Sequence, residues 1–197
     1  MCFTPGTRIL TPDGAKPIED LRERDRVQTK DNGCQRIEWM GARRMSGARL
    51  FAMPKLRPIR IRAGVFGLDE PDDDLLVSPE HRMMLKGRVA MDLFNAPEVL
   101  VAARDLVEHD RVSVDLSVRE ITYIHMLLPQ HEIVFANGVA SESFHPANAA
   151  LSTLDAQDRA RLAHMLPYVE SNPQCYGGYA RRNLTASESA ILLHEAA

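Results

Sequence analysis

An eight-residue pattern occurs twice in the chain, and this internal repeat constrains the fold more than any other feature. Residues 20–27 read DLRERDRV and residues 105–112 read DLVEHDRV, so six of the eight positions are identical. Each copy predicts a short helical turn that ends in an acidic residue and leads into an alternating strand. Two copies are too few for a solenoid. The repeat therefore predicts a pseudo-symmetric β domain.

The part of the chain from Cys2 to about Phe144 has mostly period-two hydrophobicity, which predicts short strands. Alternating or β-rich runs occupy residues 59–62, 98–102, 112–118, 121–127 and 132–136. Turn signals between such runs are Pro12-Asp13-Gly14, Asn32-Gly33 and Asn137-Gly138. Many short strands joined by tight turns predict an all-β body.

The pattern changes after Pro146, where helical spacing replaces the alternation. Residues 152–166 place leucine, alanine and methionine side chains at helical spacing before Pro167 ends the run. Thr185 and Glu188 have the spacing of a capping box, in which each side chain satisfies a backbone N–H at a helix start. The end of the chain is therefore predicted to contain two helices.

The length and composition suit a soluble globular protein with one domain and an appendage, at 197 residues, 45% hydrophobic and 26% charged. We place the β domain at residues 1–146 and a helical extension, packed on or beside it, at residues 147–197. The formal net charge of −3 creates no field that would attract nucleic acid or an anionic membrane. No run approaches the roughly 20 apolar residues of a membrane helix, and the first residues lack a signal-peptide core. We expect a soluble chain without a nucleic-acid or membrane partner.

The three cysteines, Cys2, Cys34 and Cys175, are widely spaced and form no CxxC pair. This spacing indicates neither a disulfide framework nor a thiolate zinc site. We therefore expect no metal and no cofactor.

Three segments carry a family resemblance: residues 2–9 (CFTPGTRI), 77–82 (VSPEHR) and 131–139 (HEIVFANGV). Together they resemble the Hint family, the domain shared by hedgehog autoprocessing proteins and inteins. The resemblance extends to residues 13–14 and 18–21 and to the helical tail, which is similar to a bacterial, intein-like branch. It implies a pseudo-twofold, horseshoe-like β domain that processes its own chain.

Cys2 is the candidate nucleophile, because it stands at the start of the domain and faces the carbonyl of the residue before it. Only a few per cent of an ordinary thiol is ionised near neutral pH, so the site must supply a base or a favourable environment. Exchange of an amide for a thioester also requires a strained amide and a proton for the departing nitrogen. The alternative is that Cys2 is a small buried apolar residue, but the run Cys-Phe-x-x-Gly-Thr favours the nucleophile.

Ser78 and His81 are the next candidates. The resemblance implies that His81 polarises or protonates the scissile amide, and that Ser78 supplies the hydroxyl that the family usually has as threonine. In the alternative, Ser78 caps a helix that begins at Pro79, and His81 is an incidental neighbour.

Two further histidines lie on or near predicted strands. The resemblance implies that His131 lies near the cleavage site and assists the second step, although a histidine in a strand-edge loop is the alternative. His125 occupies a position at which inteins and hedgehog domains commonly have an acidic residue, and we predict a structural role for it.

Splicing of two flanking segments is not expected. Inteins end by cyclising an asparagine that follows a histidine, whereas Asn137 follows Ala136 and precedes Gly138, as in a type I′ turn. Glu142 and Ser143 stand where the His-Asn pair would be expected. The expected outcome is therefore hydrolysis of a thioester or its transfer to an outside nucleophile.

Three functions remain open from the sequence. The first is a single-turnover self-cleaving domain whose substrate is an upstream segment of a longer native chain. The second is an amide hydrolase that uses Cys2 as an N-terminal nucleophile after removal of Met1. The third is an inert Hint-like module with a structural or partner-binding role.

Overall fold

The structure is a computed structural model that describes residues 2–108, 111–148, 151 and 154–196. Within these residues it contains fourteen strands and four α-helices, together with short 3₁₀ helices. The strands are β1 (Arg8–Thr11), β2 (Gly14–Pro17), β3 (Arg26–Gln28), β4 (Cys34–Arg36), β5 (Trp39–Met45), β6 (Ile59–Ile61), β7 (Leu75–Val77), β8 (Arg82–Lys86), β9 (Glu98–Ala102), β10 (Val112–Val114), β11 (Ile121–Leu127), β12 (Ile133–Ala136), β13 (Val139–Glu142) and β14 (Arg182–Asn183). The helices are α1 (Gly47–Ala52), α2 (Arg88–Phe94), α3 (Ala156–Met165) and α4 (Ala186–Ala196).

Four sheets organise the described strands. The largest has the order β14-β9-β8-β13-β12-β1-β2, and the smaller ones are β10-β6-β7, β11-β5 and β3-β4. All described pairings are antiparallel except that of β14 with β9. The predicted fold class, a mostly β body with a few short helices, is confirmed.

The repeat forms corresponding structures in the two halves of the β body. The β1–β2 hairpin leads into a 3₁₀ helix at Ile18–Asp20 and then β3. The antiparallel β8–β9 pair, whose strands are connected through α2, leads into a 3₁₀ helix at Ala103–Leu106 and then β10. The apolar positions are buried in both copies, as Leu21 and Leu106 at the end of each helical turn and as Val27 and Val112 on each strand. Residues 109 and 110 of the second copy lie outside the described residues. The repeated motif therefore encodes the same helical turn and following strand twice.

The strand predicted for residues 112–118 is shorter in the structure, where β10 ends at Val114. The reason is Asp115, which is buried and whose carboxylate accepts hydrogen bonds from the Ser117 and Val118 backbone N–H groups. These local bonds turn the chain and compete with the ladder. Leu116 is consequently 73% exposed despite its place in the apolar alternation.

The Asn137-Gly138 turn is confirmed. It is the two-residue connection between β12 and β13, and both residues have positive φ, 47° and 79°, as a type I′ turn requires. The Asn137 side chain also accepts a hydrogen bond from the Arg8 backbone N–H at 2.8 Å. The turn thus ties the β12–β13 hairpin to the start of β1.

The end of the chain packs against the β body. Helix α3 begins later than residue 152, with the Asp155 side chain accepting from the Gln157 N–H as its cap, and Leu162 packs with Trp39. Strand β14 extends the large sheet beside β9. The predicted capping box is present, since the Thr185 N–H donates to the Glu188 carboxylate and the Glu188 N–H donates to the Thr185 hydroxyl.

The division of the chain at residue 146 stays a prediction. None of the described helices combines the length and the apolar character that crossing a bilayer demands.

Candidate active site

The first residues of the chain lie between β7 and β11. Phe3 makes antiparallel bridges to both Val77, the last residue of β7, and Ile124 in β11. The Phe3 and Ile124 backbones exchange two hydrogen bonds of 2.9 Å. Because antiparallel partners run in opposite directions, this register places Cys2 opposite Ser78 on one side and His125 on the other. The pairing of one phenylalanine therefore assembles the site.

Ser78 holds the backbone of Cys2 from both sides of the residue. The Cys2 N–H donates to Ser78 Oγ at 3.0 Å, and the Ser78 N–H donates to the Cys2 carbonyl oxygen at 3.0 Å. Ser78 also begins a tight turn, closed by a 2.9 Å bond from the His81 N–H to the Ser78 carbonyl oxygen. No described helix starts there, so the helix-cap interpretation of Ser78 is wrong. The Ser78 hydroxyl instead accepts a hydrogen bond from the Cys2 nitrogen. That nitrogen belongs to the peptide bond before Cys2, which the family resemblance implies is the scissile bond.

The Cys2 thiol is buried, and its Sγ lies 3.5 Å from both His125 Nδ1 and His125 Nε2. Burial alone raises the pKa of this thiol. The charge of the His125 imidazole, that of the terminal amino group, and hydrogen bonds from His125 and Ser78 outweigh burial and lower the pKa from 9.0 to about 6. A thiol with this pKa is mostly thiolate at neutral pH, which is the nucleophilic form.

His125 is the site residue that the sequence analysis missed. We predicted a structural role for it, yet its ring lies against the sulfur of Cys2 and between aromatic neighbours. The Phe144 ring meets it edge-on at a centroid distance of 4.9 Å, and the Trp39 ring lies at 6.3 Å. Its contact with Cys2 depends on a register between segments far apart in the chain, which no local pattern reveals.

His81 is buried, with 1% of its surface exposed, and its ring packs edge-on against Phe3 at a centroid distance of 4.5 Å. Within the described part of the chain, neither ring nitrogen of His81 has a hydrogen-bond partner. Burial, followed by the charges of the terminal amino group, His125 and His131, holds the pKa of His81 well below its usual value of 6.5. The ring is therefore neutral at physiological pH, with both nitrogens available to a group that enters the site.

His131 lies in a different cluster, beneath the end of the chain. Its Nδ1 accepts a hydrogen bond from the Ala180 N–H at 3.1 Å, and its Nε2 lies 3.3 Å from a carboxylate oxygen of the fully buried Glu142. The rings of His145 and Tyr179 pack against it at 5.2 and 5.8 Å. The structure thus brings Cys2 and Ser78 into direct contact, and it surrounds His131 with other partners.

A cleft of about 710 Å³ opens beside Cys2. Its inner end contains Ser78 and His125, its walls are largely apolar, and Arg49 and Arg104 belong to its polar part. The thiol, although buried, therefore borders a space large enough for a peptide side chain or an acceptor molecule.

The remaining cysteines lie away from this cleft. Cys34 and Cys175 are free thiols, and neither lines the cleft beside Cys2. Over residues 2–108, 111–148, 151 and 154–196, no group of three or more histidine, cysteine, aspartate or glutamate side chains is arranged to hold a metal ion.

A β body of this topology, with a cysteine near the start of the domain held between two strands, is the architecture of an intein-like domain. The chain belongs to the Hint domain family, whose model matches residues 1–148. The resemblance stated from the three sequence segments is confirmed.

A solved structure agrees with this fold. A bacterial intein-like domain from Clostridium thermocellum is similar, with a TM-score of 0.50 at 12% identity, over 73% of this chain and 98% of that one. The MchDnaB-1 intein has a TM-score of 0.45 at 8% identity, over 72% of this chain and 99% of that one. No curated protein matches the sequence.

Proposed function

We propose that this chain is a self-processing domain in which Cys2 attacks the peptide bond that precedes it. The observation that carries the proposal is the position of Cys2. Its amide N–H donates a hydrogen bond to Ser78 Oγ, and its thiol contacts the His125 imidazole. Membership of the Hint family supports the same chemistry. The substrate would be an upstream segment of a longer chain, converted once per molecule.

The first step is an N-to-S acyl shift. The Cys2 sulfur adds to the carbonyl carbon of the preceding residue, the carbon–nitrogen bond breaks, and the Cys2 nitrogen takes up a proton to become an amine. Ser78 contributes by fixing the orientation of that nitrogen, since its hydroxyl and its own N–H bond the two ends of Cys2. Such positioning raises the rate because the reacting groups are already oriented.

His81 is proposed to act on the same amide. Its ring is close to the site because the Ser78–His81 turn returns the chain toward Phe3. A neutral imidazole with two unpartnered nitrogens can donate one N–H to a group that develops charge in the reaction. His131 is also proposed to assist the second step, and its charge is among those that lower the pKa of His81.

The thioester would then be hydrolysed or transferred to an outside nucleophile, without ligation of two flanks. Asn137, the residue nearest in type to the cyclising asparagine of inteins, has its side chain bonded to Arg8 and lies in a hairpin turn. The Glu142 carboxylate is fully buried and accepts the Arg82 N–H at 2.9 Å. These structural contacts of Asn137 and Glu142 support an outcome without splicing.

A fusion protein tests the proposal. A folded reporter is joined upstream of Cys2, and the fusion is incubated near neutral pH with and without dithiothreitol, followed by intact-mass measurement. Cleavage before Cys2 that dithiothreitol accelerates, and that Cys2→Ala abolishes, is the expected result. Cys175→Ser is the matched control, because Cys175 is an exposed thiol away from the site, and this variant should cleave like the parent.

Cleavage that persists in Cys2→Ala would contradict the proposal. A parent fusion that stays intact with and without dithiothreitol would contradict it as well. Turnover of a small diffusible amide by the isolated chain would instead support the N-terminal-cysteine hydrolase.

A further inference from the structure

The Cys2–His125 contact is the closest approach of a titratable side chain to the nucleophilic sulfur in the described part of the chain. Both ring nitrogens lie 3.5 Å from Sγ, so a proton can pass between sulfur and ring whichever nitrogen carries it. The Cys2 sulfur and the His125 ring are both near the reacting bond, because Cys2 supplies the sulfur and also the nitrogen of that bond. The contact therefore involves reacting atoms directly.

The His125 ring is held in place by packing and by the register of β11 with β5. His125 pairs with Gly41, and a Cβ atom at residue 41 would collide with the Trp39 indole. The glycine thus allows the indole to lie near His125, while the Phe144 ring packs edge-on against the imidazole. A ring fixed this way loses little further freedom when it transfers a proton.

The other groups that face the Cys2 thiol are poorly suited to accept its proton. The Tyr123 hydroxyl donates to the Leu56 carbonyl oxygen at 2.7 Å, and burial, together with the Cys2 charge, raises its pKa. The Ser78 hydroxyl accepts the Cys2 N–H. At the cleft, Glu80 is paired with Arg104 and is half exposed.

His81 does not contact the sulfur through any described bond, and burial keeps its ring neutral. A neutral buried imidazole is a weak source of the proton that the departing amine needs. An imidazole that has just received the thiol proton is a much stronger source.

We propose that His125 is a catalytic residue of this site, which accepts the Cys2 thiol proton and delivers a proton during acyl transfer. The inference rests on the proposed function. In the first step the thiol proton moves to His125, sulfur bonds to the carbonyl carbon, and the imidazolium proton moves to the nitrogen as the carbon–nitrogen bond breaks. In the second step His125 takes a proton from water, the resulting hydroxide bonds to the thioester carbon, and the proton returns to the departing sulfur.

A thiol titration tests the pair without any need for cleavage. In a chain carrying Cys34→Ser and Cys175→Ser, the thiolate absorbance near 240 nm reports Cys2 alone. We expect a midpoint near 6 in this parent and a clearly higher midpoint in His125→Gln, because burial is then opposed only by the terminal amino group and Ser78. The exposed His164→Gln is the matched control and should leave the midpoint unchanged.

A second substitution keeps the measurement decisive if His125→Gln does not fold. His125→Asn also removes the imidazole, and it should raise the midpoint of the Cys2 thiol in the same direction. An unchanged sulfur midpoint in a folded His125→Gln or His125→Asn variant would overturn the proposal.

The reporter fusion then separates this inference from the proposed function. His125→Gln should slow cleavage about a hundredfold or more, the usual scale of proton-transfer catalysis, and added imidazole should restore part of the rate in His125→Gly but none in Ser78→Ala. A parent fusion that never cleaves contradicts the proposed function and the catalytic role alike, whatever the titration shows. A parent that cleaves alongside an equally fast His125→Gln contradicts the role of His125 alone.

Discussion

Cys2 and Ser78 bind each other through two hydrogen bonds of equal length. The Cys2 N–H donates to Ser78 Oγ and the Ser78 N–H donates to the Cys2 carbonyl oxygen, both at 3.0 Å. One bond uses the Ser78 side chain and the other its backbone, so substitution removes only the first. The contribution of the Ser78 hydroxyl to stability and to cleavage can therefore be measured while the backbone hydrogen bond between Ser78 and Cys2 stays in place.

Ser78→Ala should leave the buried Cys2 N–H without its partner. The expected loss in the free energy of unfolding is about 1–3 kcal/mol, the cost of an unsatisfied buried donor, measured by urea denaturation. Cleavage of the reporter fusion should slow about tenfold for each 1.4 kcal/mol of lost transition-state stabilisation.

Ser78→Thr provides the control, because it keeps the hydroxyl and adds one methyl group. We expect its cleavage to stay within a few fold of the parent. If Ser78→Ala folds and cleaves like the parent, Ser78 is not a positioning residue.

The Cys2 thiol should make stability depend on pH in a defined direction. Its pKa is about 6 in the folded chain against 9.0 for an ordinary thiol, so the unfolded chain binds more protons between these values. The stabilisation is present above pH 9 and is lost as the pH falls through 6. The difference in free energy of unfolding between parent and Cys2→Ser, from urea titrations at several pH values, should rise over this window.

Cys175→Ser should give a flat difference over the same pH range, because Cys175 is exposed. A flat difference for Cys2→Ser as well would mean that the folded protein does not stabilise the thiolate.

Local patterns in the sequence predicted five of the fourteen described strands and one half of the site. The alternating or β-rich runs correspond to β6, β9, β10, β11 and β12, because residue preference and side-chain alternation are local properties of a strand. Ser78 was found because it belongs to a contiguous segment, and that segment folds as one turn beside Cys2.

The site contacts that the sequence did not predict are contacts between segments far apart in the chain. His125 reaches Cys2 only because Phe3 pairs with Ile124, a register over 121 residues of chain. His131 is surrounded by Ala180 and Tyr179 from the end of the chain, whose packing no motif predicts. Single-segment patterns cannot supply such registers, since each segment is compatible with several partners.

Phe3 should contribute more to stability than its position near the chain start suggests. Its side chain is 2% exposed and packs against His81, while its backbone joins β7 to β11. Phe3→Ala should cost about 3–5 kcal/mol in the free energy of unfolding, as for other buried aromatic truncations. Phe51→Ala is the matched control, because Phe51 is 81% exposed, and we expect a change within about 0.5 kcal/mol. A similar loss of unfolding free energy in both variants would show that the burial of Phe3 does not cause the loss in Phe3→Ala.

His145 should make the protein less stable in mild acid. Its Nδ1 accepts the Ala147 N–H, so Nε2 carries the proton and binds the Gly177 carbonyl oxygen at 3.0 Å. Burial lowers its pKa from 6.5 to about 4, although the bond to Gly177 opposes the shift and His131 adds to it.

The sign follows from proton binding. Between pH 6.5 and about 4 the unfolded chain is protonated at this residue and the folded chain is not, so stability falls as the pH falls through this window. The expected loss is on the order of 3 kcal/mol. Urea denaturation at pH 7 and pH 4.5 should show a smaller difference in His145→Gln than in the parent, whereas the exposed His164→Gln should match the parent. An equal acid loss in His145→Gln would assign the effect to other groups.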